Sequence, residues 1–131
     1  MPIWNKPQLY RQNSRNFSRI FYLFFADKNF AEELSKYNYS NLLLGIPIHS
    51  DYSGDHDYIT QEQGSYSETL KGLYNLATVK IPIELRVVIN KINYLRLPQI
   101  SNFIYKNLPF VDYISFMGLE DTGYSIKNHS Q

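Results

Sequence analysis

The stretch that decides the fold is Ile81–Glu120, IPIELRVVINKINYLRLPQISNFIYKNLPFVDYISFMGLE. Leu85 to Ile89 is apolar and rich in β-branched residues, as a mostly buried strand should be. Leu97, Ile100, Phe103, Ile104 and Leu108 then recur at helical spacing, with Pro98 in the first turn and Pro109 as the stop. Val111 to Met117 is β-prone again, and Gly118 ends it. Two strands joined by about a dozen helical residues predict a parallel pair with a right-handed crossover. Such units place ligands at the carboxyl ends of their strands. Here those ends carry Asn90 and Lys91, then Gly118 and Glu120.

Working outward, Ser65 with Glu68 reads as a capping box. Tyr66, Leu70, Leu73, Tyr74 and Ala77 form the apolar stripe of the helix it opens. Leu42 to Ile48 is an earlier strand, in which Pro47 marks a bulge or an end. Asn29 with Glu32 is a second capping box, opening a helix to about Tyr37, and Arg19 to Phe25 is the first strand. Residues 1–18 hold Lys6, Arg11, Arg15, two prolines and no acid. They read as a loose basic arm; a basic, acid-poor start also suits a transit peptide, but no amphipathic helix is visible. The order is β-α-β-α-β-α-β in one α/β domain over 19–131.

Composition narrows the function classes. A 16% aromatic content, with 12 Tyr and 8 Phe, argues against disorder. A net charge of +1 predicts neither nucleic-acid binding nor an acidic partner. The longest apolar run, Ile20 to Ala26, is far short of the roughly 18 residues of a membrane span. No signal-peptide layout is present. There are no cysteines, which fits a reducing cytoplasm.

The loop His49–Gly64, HSDYSGDHDYITQEQG, is the chemically dense part. His49, Asp51, Asp55, His56 and Asp57 are potential zinc or iron ligands. The plainer reading is a solvated loop in which Asp and Gly make turns, because the spacing matches no compact metal motif. On the strand Ile83 to Asn90, Glu84, Arg86, Val88 and Asn90 share one face. With helices outside and a lumen inside, neither face of that strand is expected to meet free solvent. Arg86 then needs an anionic partner, either a ligand carboxylate or Glu84 two residues away. No nucleophile elbow or phosphate-cradling glycine loop occurs, so hydrolase and P-loop readings have no support.

From about Leu42 to Tyr124 the chain resembles the middle of a radical SAM barrel. It looks most like the radical SAM peptide maturase of the His-Xaa-Ser system, on GSYSETLKGLYNLATVKIPIELRVVIN and the RVV, NLPFV and MGLE runs. The resemblance implies a partial, half TIM-type barrel of parallel strands with alternating helices. A closed barrel takes roughly 250 residues, about twice this chain. It implies S-adenosylmethionine (SAM) and a [4Fe–4S] cluster as cofactors, and a peptide or protein as substrate. The family holds its cluster on three cysteines in a Cys-x3-Cys-x2-Cys loop, and thiolates are the ordinary ligands. This chain, lacking them, is not expected to bind the cluster alone; that loop would belong upstream of residue 1. Carried over, Ser50 and Asp51 would hold the ribose or ammonium of SAM and Arg86 its carboxylate. Glu120 would bond a substrate or adenine, or cap a turn. The resulting expectation is a maturase fragment, inactive alone. Two other readings stand beside it. One is a noncatalytic α/β module that joins a partner chain or peptide by its exposed strand edges. The other is a complete small α/β domain with a metal or nucleotide site of its own.

Overall fold

The computed structural model describes residues 24–37 and 41–118. Its elements in chain order are α1 (Lys28–Ser35), β1 (Leu44–Pro47), α2 (Ser53–Thr60), α3 (Ser65–Thr78), β2 (Ile83–Ile89), a 3-10 turn (Tyr94–Arg96), α4 (Leu97–Asn107) and β3 (Tyr113–Gly118). The three strands form one parallel sheet in the order β1-β2-β3. Leu85 pairs with Ile46 on one side and Ile114 on the other. The expected α/β class and the parallel pairing of the two strands in the opening stretch therefore hold, and the described sheet is open rather than closed.

One face of the sheet makes the core. Ile46, Ile83, Leu85 and Val87 are buried together with Leu73 and Leu76 of α3 and Ile100 and Ile104 of α4. Each fully buried aliphatic side chain of this kind contributes about 1.5–3 kcal/mol. The register of the crossover is locked at its base: Asp112 accepts the Ile83 N–H through Oδ2 at 2.9 Å, and its own N–H donates to the Ile83 carbonyl at 3.0 Å.

Among the described residues the opposite face is open. Arg86, expected between lumen and helices, has a side chain 52% exposed, because every buried residue of β2 points toward the single layer of helices. Pro47 sits at the end of β1. Leu44 and Ile48 donate toward β2, to the carbonyls of Pro82 and Arg86, so the Pro47 nitrogen faces away and no ladder bond is lost.

Several local expectations are corrected. Of the strand placed at Arg19 to Phe25, residues 19–23 lie outside the described residues, and 24–26 form a helical turn instead. Asn75 of α3 donates to the carbonyls of Phe25 and Ala26, and Phe25 lies so close to Gly72 that a Cβ there would meet its Cβ at 2.8 Å. That tertiary contact overrides the apolar run's strand preference. The cap of α1 is Asp27 rather than Asn29: Asp27 has the extended backbone a cap requires, and its carboxylate accepts the Asn29 N–H at 2.9 Å. The helix also stops at Ser35, short of Tyr37.

The stripe of α3 is rotated from the expected one, burying Thr69, Gly72, Leu73 and Leu76 and leaving Tyr74 exposed. Its capping box does not form; Gly64 occupies the cap, with a left-handed φ of 86°. Among the described residues no helix is long and apolar enough to cross a membrane.

Candidate functional site

The carboxyl end of the sheet gathers a polar cluster. His49, Ser50 and Asp51 follow β1, and Asn90, Asn93 and Arg96 follow β2. The segment read as a loop contains helix α2, which buries only His56. Asp57, on the next position, reaches across to the start of α3. Its Oδ2 accepts the Gly64 N–H at 2.7 Å, and its Oδ1 accepts the Tyr66 N–H at 2.8 Å and the Ser65 hydroxyl at 3.0 Å. The two main-chain N–H groups belong to the N-terminus of α3, so Asp57 performs the cap that Ser65 and Glu68 were expected to provide. Burial pushes its carboxyl up, but the N–H groups of Tyr66 and Gly64 and the Ser65 hydroxyl outweigh that and leave it below the ordinary range.

Asn93 joins the two loops. Wholly buried, it donates to the His49 and Val88 carbonyls, both at 2.9 Å, and accepts the Asn90 N–H at 2.8 Å. Beside it, Arg96 grips Asp51 with two bonds, Nε to Oδ1 at 2.9 Å and Nη2 to Oδ2 at 2.7 Å. The guanidinium holds the Asp51 carboxyl below its ordinary value. The Tyr66 hydroxyl donates to the Asp51 carbonyl at 3.1 Å. Ser50, also wholly buried, accepts the Tyr52 N–H at 3.2 Å and contacts Asp51 Oδ1 at 3.4 Å.

Two imidazoles complete the cluster. The His49 N–H donates to His56 Nδ1 at 3.1 Å, and the rings lie 5.2 Å apart. Burial lowers His49 to about 4; burial and then the charge of His49 lower His56 to about 3. Both are therefore neutral at pH 7. The five potential metal ligands do not converge: Asp51 belongs to Arg96, Asp57 to α3, and among the described residues no three such groups could hold a metal ion.

Arg86 lies apart, on the open face. Its Nε and Nη2 both donate to Glu84 Oε2, at 3.0 and 2.8 Å, while Ser115 donates to Glu84 Oε1 at 2.6 Å. Those two contacts, Ser115 first, hold the Glu84 carboxyl low. The guanidinium runs over Gly45, where a Cβ would meet its Cζ at 2.7 Å. The structure thus brings Ser50 and Asp51 together and sets Arg86 elsewhere, and Glu120 lies outside the described residues. Sequence reasoning missed Asn93, Arg96 and Tyr66. Arg96 did leave a signal: an arginine just ahead of a helix opposes the helix dipole and calls for a nearby anion.

No known protein family matches the chain, and no curated protein or solved structure matches it either.

Proposed function

We propose that the chain is a wall segment of a radical SAM-type barrel, related to peptide maturases and carrying no radical chemistry of its own. The observation that supports this reading is the strand order. Three parallel strands run in sequence, with one face buried under both crossover helices and the other, among the described residues, open. Consecutive parallel strands under one layer of helices are the repeating unit of a barrel wall.

The chain's residues do not fit an iron–sulfur cluster, since it has no thiolate to offer, and no step through a cluster is derived. SAM is a different matter. Arg86 already holds a carboxylate on the open face, so it fits the carboxylate of SAM by exchange with Glu84. Ser50 and Asp51 would serve only by shaping the loop after β1, because their polar atoms are engaged within the cluster. The test of inactivity is anaerobic reconstitution with iron and sulfide, followed by SAM and a reductant. SAM should be recovered intact, and its reductive cleavage would overturn the proposal.

A second reading, a noncatalytic module that continues its sheet on another polypeptide, draws on β3. Tyr113, Ile114, Phe116 and Met117 on this strand are all more than 40% exposed. Apolar strands with open edges invite pairing. Light scattering over a concentration series should then show association that Phe116→Lys weakens; a monomer at every concentration would remove this reading for self-association.

A further inference from the structure

One hydrogen bond at the carboxyl end of the sheet cannot survive a proton. His56 Nδ1 accepts the main-chain N–H of His49, so its ring carries its proton on Nε2. Protonating Nδ1 turns the acceptor into a donor aimed at another N–H. The same peptide segment is held from the other side, since the His49 carbonyl accepts from Asn93. His49 thus pins the loop to both α2 and the loop after β2.

The surroundings offer a charged His56 little relief. From α3, Tyr66 lies edge-on at 5.5 Å, and its phenol is pushed up by burial and stays neutral. From the loop after β1 comes the His49 ring, together with Asp51, whose carboxylate is taken by Arg96 from the 3-10 turn. From the loop after β2 comes Asn93, which is uncharged. On α2 itself stand Asp55 and Asp57. Asp57 favours the charged ring, but burial and His49 oppose it more strongly.

We infer that His49 and His56 form an acid-operated latch, whose protonation releases segment 49–64 while β2 and β3 stay paired. Ligands of α/β sheets bind at this end, so release would open it in acid. Burial holds both rings well below the ordinary histidine value, and opening returns them toward about 6.5. Between those limits each pH unit favours the open form by up to about tenfold per ring, hence about a hundredfold for the pair.

Hydrogen exchange from pH 7 to 4.5, corrected for the intrinsic pH dependence of exchange, tests this. Segment 49–64 should lose well over tenfold in protection per pH unit and stay far less protected than 83–89, which open only with the whole fold. In His56→Gln, whose amide oxygen can accept the same N–H and cannot titrate, the dependence should fall to at most tenfold per unit. Should that variant not fold, ring signals of the wild type serve instead: neither imidazole should titrate near pH 6.5 while 49–64 remains protected. Flat protection of 49–64, or protection of 49–64 equal to that of 83–89 at every pH, would overturn the latch.

Discussion

Replacing Asp57 with alanine should destabilise the fold more than any other change at an exposed or half-buried position. The side chain takes three hydrogen bonds, two from main-chain N–H groups at the start of α3 and one from Ser65. Loss of an N-cap costs about 0.5–2 kcal/mol, and a hydrogen bond to a charged group contributes about 1.5–3 kcal/mol. The three share one carboxylate and one helix end, so they do not add fully; about 3 kcal/mol is the expectation. For a chain of this length that lowers the melting temperature by roughly 10 °C. Asp57→Asn keeps an acceptor oxygen and should lose about half as much.

The carboxyl lies below its ordinary value in the fold, so its stabilisation is complete above that ordinary value. It is lost as pH falls through the folded value, and the asparagine variant should lack that part of the acid transition. Urea unfolding at pH 7 and pH 3.5, followed by circular dichroism, gives both quantities. A change below about 0.5 kcal/mol in Asp57→Ala would refute the remote cap, since that is the size of an ordinary surface substitution.

Other outcomes follow from the same contacts. Asn93→Ala takes the side-chain partner from the His49 carbonyl and the Asn90 N–H and one of two side-chain donors from the Val88 carbonyl, and should cost about 2–4 kcal/mol. Asn93→Asp should be worse, because it sets a carboxylate against two carbonyls; equal melting temperatures would contradict the assigned amide orientation. Leu85→Ala, at the fully buried centre of β2, should cost about 2–5 kcal/mol in urea unfolding, and a smaller loss would mean the helical layer is loosely packed. Stability should also decline as pH falls from about 6.5 toward 4.5, because the unfolded chain binds protons there that buried His49 and His56 refuse. The urea midpoint in that window should be flatter in the His49→Asn, His56→Gln double variant, and equal slopes would show that the imidazoles are not the cause.

What could be read from the residues and what could not divides along one physical line. The unit from Ile83 to Gly118 was legible because each element carries its own period and its own stop, and β2 buries alternate residues as a strand with one covered face must. Helix α2 was not, because only His56 of its eight residues is buried and no stripe can be seen. The cap of α3 was missed for another reason: two local residues matched the capping pattern, while the group that does the work comes from a different helix. Arg86 shows how a topological assumption shifts a site. Of the two partners weighed for it, Glu84 is the one it holds in the structure, and the face assumed to be enclosed is open among the described residues.

The most direct measurement is a calorimetric titration of SAM into the wild-type chain and into Arg86→Ala, without iron. The proposed barrel wall predicts weak binding to the wild type, since SAM must displace Glu84 and no metal chelates its amino and carboxylate groups. Arg86→Ala should bind at least tenfold more weakly, the loss of one charge-assisted contact. Equal affinity in the two proteins, or no detectable binding to either, would contradict the SAM-binding wall and leave Arg86 as the partner of Glu84 alone.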